Sequence, residues 1–192
     1  MKTLIKNGLL IDSANQVQAY LNLILEDGKV VAVTEEEPEA DRVIDATGKV
    51  VAPGFIDIHM HEDPVKDGKI EFCIFDAMLR MGVTTAVGGN CGINVYDPVK
   101  YLDMVEKDGA PVNVMLFAGH QYFREAAGAL DKYAPVTKEQ QEHMKKGLEK
   151  ALEAGCVGIS YGLRYVPGTG RDEFLDTASC CEKEHRMISA HV

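Results

Sequence analysis

From residue 51 onward the sequence alternates short apolar runs with stretches of helical periodicity, and few folds accept that alternation. The first run, residues 51–61 (VAPGFIDIHMH), is almost continuously apolar, as strands buried on both faces of a parallel sheet are. Phe72, Phe75, Met78 and Leu79 then follow at helical spacing over residues 71–81, with Gly82 as a stop. Residues 83–87 (VTTAV) predict a second strand that leads into the loop GGNCG. Asp97 and Pro98 have the character of an N-cap and a first helical residue, and Val99, Leu102 and Val105 give that helix its buried stripe. A third strand is expected at 112–118, followed by a long connection to a helix at 138–154. Thr137 and Gln140 have capping-box spacing there, and Met144, Leu148, Ala151 and Leu152 share a face. Residues 156–161 and 187–191 predict the fourth and fifth strands, separated by a helix at 172–185 with Phe174, Ala178 and Cys181 inward. The first strand-to-helix turn carries no dinucleotide-binding glycine pattern, so the expected fold is α/β, a partial TIM-type (β/α)8 barrel of five strands.

Residues 1–50 follow another rule. Short β runs are punctuated by Asn7-Gly8 and Asp27-Gly28, which predicts two successive hairpins. So short a β segment closes no core alone, and the expected organisation is an accessory β-sandwich portion over 1–50 and a truncated barrel over 51–192. The formal net charge of −10, with no Lys/Arg cluster, argues against nucleic acid and anionic membranes as partners and favours small molecules. No apolar run approaches the roughly 20 residues of a membrane span, and the N-terminus lacks a signal peptide's apolar core, so a cytoplasmic location is expected. The five cysteines, an odd number without small-scaffold spacing, read as reduced thiols.

Reactive side chains recur at the carboxyl ends of the expected strands, which in a parallel barrel share one rim. His59 and His61 end the first, Cys91 follows the second, His120 the third, Tyr161 to Tyr165 the fourth and His191 the fifth. Two histidines at i and i+2 project from one face of a strand and can chelate one metal ion. Singly, each has a plain structural account as a hydrogen-bonded histidine, a buried small thiol or a packed loop tyrosine.

The run GKVVAPGFIDIHMH resembles the opening strand of the amidohydrolase superfamily. Joined to GVTTAVGGNCGI, AGHQYFR, GCVGISYGLRYVPG and MISAHV, it resembles the D-aminoacylase, or N-acyl-D-amino-acid deacylase, branch over nearly the whole chain. The resemblance implies one or two zinc ions. His59 and His61 would hold one position, and Cys91 and His191 a tighter neighbouring one, with a thiolate as a favourable ligand. Many amidohydrolases bridge two metals with a carboxylated lysine on the fourth strand; residues 156–162 contain none, which shifts that role to Cys91. His120 and Tyr165 are the candidates for orienting the acyl group.

The implied reaction is hydrolysis of an N-acyl-D-amino acid at its amide bond by zinc-activated water. The family's later histidine ligand and proton-shuttling aspartate fall outside these 192 residues, so the chain is expected to be the N-terminal portion of a longer enzyme, inactive alone. No general base is assigned. Two other readings stay open: a cyclic-amide hydrolase resembling dihydroorotase or hydantoinase, and a non-catalytic half-barrel.

Overall fold

The structure is a computed structural model that describes residues 1–182 and 185–192. The chain divides into two compact units, Met1–Gly54 and Phe55–Val192. Among the described residues no helix is long and apolar enough to cross a membrane.

The first unit is built from seven strands: β1 (Lys2–Lys6), β2 (Leu9–Asp12), β3 (Val17–Tyr20), β4 (Asn22–Glu26), β5 (Lys29–Thr34), β6 (Arg42–Asp45) and β7 (Val50–Val51). They form a four-stranded sheet ordered β5-β4-β1-β6 and a three-stranded sheet ordered β3-β2-β7. The Asp27-Gly28 turn joins β4 and β5 as an antiparallel hairpin, with both turn residues at positive φ. The hairpin expected at Asn7-Gly8 does not form. There the chain leaves one sheet for the other, so β1 pairs with β4 and β6 while β2 pairs with β3 and β7. A β-carbon on Gly8 would stand 2.6 Å from Val51 Cγ2 and 2.9 Å from Ala46 Cβ. Close packing at that crossing, rather than a hairpin turn, is what the glycine permits.

The second unit opens with β8 (Phe55–Asp57), a small hairpin of β9 (Val65–Lys66) and β10 (Lys69–Ile70), and helix α1 (Ile74–Arg80). There follow β11 (Val83–Gly88), α2 (Pro98–Asp108), β12 (Asn113–Gly119), α3 (His120–Ala126), α4 (Lys138–Glu153), β13 (Gly158–Gly162), α5 (Arg171–Ala178) and β14 (Met187–His191). The main sheet is parallel and runs in chain order, β8-β11-β12-β13-β14, the arrangement that a partial (β/α)8 barrel requires.

Sequence signals set many of these boundaries. The Asp97 carboxylate accepts hydrogen bonds from the backbone N–H of Val99 and Lys100, and Pro98 occupies the first helical position. Thr137 and Gln140 form the expected capping box, and Met144, Leu148, Ala151 and Leu152 are the buried face of α4. Together with Phe75, Leu116 and Ile159 they belong to the unit's apolar core.

Three expectations change. Residues 51–61 are not one strand: Pro53 and Gly54 interrupt it, β8 ends at Asp57, and the Asp57 carboxylate accepts the N–H of His59. His59 and His61 therefore sit in the loop beyond the strand, where alternation of faces no longer applies. The long third connection contains α3, which begins on His120 itself. The fourth helix ends at Ala178 and passes into a 3-10 turn, Ser179–Cys181; part of its expected C-terminal stretch, residues 183–184, lies outside the described residues.

Candidate active site

Cys91 occupies a short 3-10 turn, Asn90–Gly92, directly after β11. Its φ of +58° is left-handed, a conformation that costs a non-glycine residue about 1–3 kcal/mol and needs support from its surroundings. Gly89 and Gly92 on either side are also at positive φ, +71° and +77°. A β-carbon on Gly89 would run into the Phe117 carbonyl oxygen, and one on Gly92 would lie 2.8 Å from Gly162 N. The glycine pattern GGNCG is thus what lets this turn nest against β12 and β13.

Buried polar side chains hold the turn. Asn90 Nδ2 donates to Val87 O at 2.9 Å and reaches Ile58 O at 3.3 Å. Ser160, from β13, accepts the Gly92 N–H at 2.9 Å and donates to the Gly89 carbonyl. Asn94 accepts the Gly119 N–H at 2.7 Å and donates to Phe117 O at 3.0 Å. Each such bond contributes about 1 kcal/mol, enough in combination to offset the strain at Cys91.

Cys91 Sγ lies 3.4 Å from His59 Nε2 and 3.4 Å from His191 Nδ1. The end of β14 and the loops after β8 and β11 thereby bring three of the expected ligands together. The Tyr165 hydroxyl stands 3.3 Å from His191 Nδ1, and the two rings meet edge to face at 4.9 Å. His61 is exposed. Among the described residues, no group of three or more His, Cys, Asp or Glu side chains is arranged so that it could hold a metal ion as it stands. The two sulfur–nitrogen separations of 3.4 Å nevertheless fit a shared ion, since zinc–sulfur and zinc–nitrogen bonds of about 2.3 and 2.0 Å at a tetrahedral angle separate S from N by about 3.5 Å.

His120 is drawn elsewhere, into a buried ionic cluster. Its Nε2 lies 2.9 Å from Glu173 Oε1, which also accepts from Arg124 Nε at 2.9 Å. Arg124 also donates from Nη1 to the carbonyl of Asp131 and from Nη2 to that of Ala134, and the His120 ring packs on Tyr161. Burial works against the charged form of Glu173, but the hydrogen bonds from His120 and Arg124 hold its carboxyl below the ordinary value. Sequence reasoning missed this cluster. His120 and Arg124 are four residues apart, the spacing that aligns side chains on a helix, and recognising α3 would have revealed the pair.

Asp63, two residues beyond His61, was missed as well. Fully buried, it caps α1 from a distance by accepting the N–H groups of Cys73, Ile74 and Phe75 at 3.0, 2.7 and 2.9 Å. Burial opposes its charge, yet these donors prevail and lower its pKa from 3.8. Its stabilisation is therefore complete above the unfolded value and is lost as pH falls through the depressed folded one. Asp63→Asn is expected to be less stable than wild type at neutral pH and to show a shallower loss between neutrality and strong acid, read as urea midpoints across that range.

Residues 42–166 match the amidohydrolase family. This chain belongs to that family. N-acyl-D-glutamate deacylase of Alcaligenes xylosoxydans xylosoxydans is 32% identical over 187 residues, covering 85% of this chain and 38% of the relative. D-aminoacylase of the same organism is 30% identical over 212 residues, covering 98% of this chain and 42% of the relative. Among solved structures, N-acyl-D-glutamate deacylase of Bordetella bronchiseptica, complexed with zinc and a phosphonate mimic of the tetrahedral intermediate, superposes with a TM-score of 0.85. It is 30% identical, with 99% of this chain and 44% of that one covered. Dihydroorotases also match; that of Elusimicrobium minutum is 41% identical over 88 residues, 44% of this chain and 20% of the relative. This amidohydrolase chain spans about two fifths of the length of the deacylases it matches.

Proposed function

We propose that this amidohydrolase chain carries the metal-binding half of an N-acyl-D-amino-acid deacylase. The observation that carries the reading is the Cys91 thiol, 3.4 Å from both His59 and His191, on a parallel sheet whose β13 offers no lysine. His59, Cys91 and His191 would hold zinc, and His61 would complete an adjoining position. Bound there, the metal supplies a positive charge that polarises an amide carbonyl and acidifies water.

This chain's residues do the rest by holding and orienting. The Gly89–Gly92 turn fixes the sulfur, and the β13 hydroxyl of Ser160 fixes the turn. Tyr165, beside His191 and partly exposed, would donate a hydrogen bond from its hydroxyl to the acyl oxygen as negative charge develops there. His120 is given no direct contact with substrate, because Glu173 takes its Nε2 and its side chain is buried. No residue described here is assigned the proton transfer to the leaving nitrogen.

The dihydroorotase matches support cyclic-amide opening as a second reading. The two separate on a substrate panel, applied to the polypeptide encoded by the complete reading frame that carries these residues. N-acetyl-D-glutamate, N-acetyl-D-aspartate and N-acetyl-D-leucine are compared with their L enantiomers and with dihydroorotate. Release of free D-amino acid, with the L enantiomers inert, is the expected result. Ring opening without deacylation would overturn the proposal.

A further inference from the structure

The residue after His61 has no part in the mechanism above. Glu62 is 2% exposed, and its carboxylate accepts three hydrogen bonds: from Gly89 N at 2.7 Å, Val95 N at 3.1 Å and Asn94 Nδ2 at 3.2 Å. All three donors belong to residues 89–95, and they bracket Cys91 in sequence. Gly88 leaves room for this carboxylate, since a β-carbon there would stand 2.9 Å from Glu62 Oε2 and 3.3 Å from Glu62 Cβ. Successive glycines thus have separate tasks, the first admitting Glu62 and the second the Phe117 carbonyl.

Two segments are joined by this arrangement. Glu62 lies three residues beyond His59, and its partners lie two residues before and three and four residues after Cys91. Asn90 makes a parallel tie, reaching the Ile58 and Met60 carbonyls on either side of His59. Cys91 is held meanwhile in left-handed backbone, which a loop free to relax would abandon. A buried carboxylate that accepts from both flanks of such a turn resists that relaxation.

We propose that Glu62 is a positioning residue for the Cys91 sulfur. Its carboxylate clamps the loop of residues 89–95 to the segment bearing His59 and so sets the separation of the two donors. This rests on the reading that Cys91 and His59 are metal ligands. Outer-shell groups that orient ligands are commonly worth about 10–100-fold in metal affinity.

The test uses zinc and cobalt(II) as probes on the polypeptide encoded by the complete reading frame that carries these residues, with affinity measured by competition against a chelating dye and thiolate ligation by the cobalt–sulfur absorption band. Glu62→Gln keeps the side chain's size but removes its charge, and is expected to bind zinc about 10–100-fold more weakly with a diminished band. Leu148→Val, a core substitution in α4, lowers stability without touching the clamp and is expected to leave both readouts unchanged. Should Glu62→Gln fail to fold by circular dichroism, Asn94→Ala removes one of the three donors and is expected to weaken zinc binding severalfold. Wild-type affinity and an unchanged band in whichever variant folds would overturn the proposal. Identical cobalt spectra for wild type and Cys91→Ala would instead show that the ligand reading itself is wrong.

Discussion

Cys91→Ala is expected to lower zinc affinity by at least about 100-fold, because loss of a ligand should exceed the effect of losing an outer-shell partner. Its sulfur is the atom shared between His59 and His191, so removing it leaves two imidazoles with no donor between them. The substitution should not cost much packing: alanine keeps the small buried volume, and the left-handed backbone is as strained with alanine as with cysteine. Zinc content after dialysis, together with a urea melt, separates the two effects. A matched substitution, Cys180→Ser in the turn Ser179–Cys181, is expected to retain wild-type zinc. On the proposed reading, deacylase activity of the polypeptide encoded by the complete reading frame should disappear along with the metal; retained zinc at an unchanged rate would remove Cys91 from the site.

The largest effect on stability is expected at Arg124. It is 1% exposed beside Glu173 at 4%, and Arg124→Leu removes the charged one of the two donors to a buried carboxylate, leaving only His120 there, and takes the donor from the carbonyls of Asp131 and Ala134. Breaking a buried pair from one side costs about 3–5 kcal/mol, a fall on the order of 10 °C in Tm. Arg124→Lys restores the charge without the planar fork and should recover only part of the loss. The pH dependence supplies a second readout. The Glu173 pKa is lowered from 4.5, so its contribution is present above that value and lost as pH falls through the depressed folded one. Glu173→Gln should remove that part of the acid sensitivity, whereas an unaltered acid limb would show that the cluster stores no such energy.

The parallel sheet was legible because its signals are local. Thr137, Gln140 and the four apolar residues of α4 announce a helix without knowledge of anything beyond it. Cys91 and its glycines stood out for the same reason. What stayed hidden depends on partners far away in sequence. Glu62 resembles any acidic residue until the fold brings it to Gly89, 27 residues on, and Glu173 meets Arg124 across 49. The Asn7-Gly8 hairpin failed on similar grounds, since a dipeptide records a turn but not which sheet the chain enters next. His120 was correctly placed at a strand end, yet its burial against Glu173 was invisible from the strand alone.

Cys91 and His191 are 100 residues apart in the chain, and they meet only once β14 has paired with β13. An ion held between them crosslinks the second strand of the sheet to the fifth and closes a loop that includes α2, α3, α4 and α5. Because that crosslink exists only in the folded form, its stabilisation rises with free metal concentration by mass action. On the proposed reading that Cys91 and His191 are metal ligands, β14 would stay attached to β13 in proportion to metal supply, and resistance to proteolysis would rise with zinc.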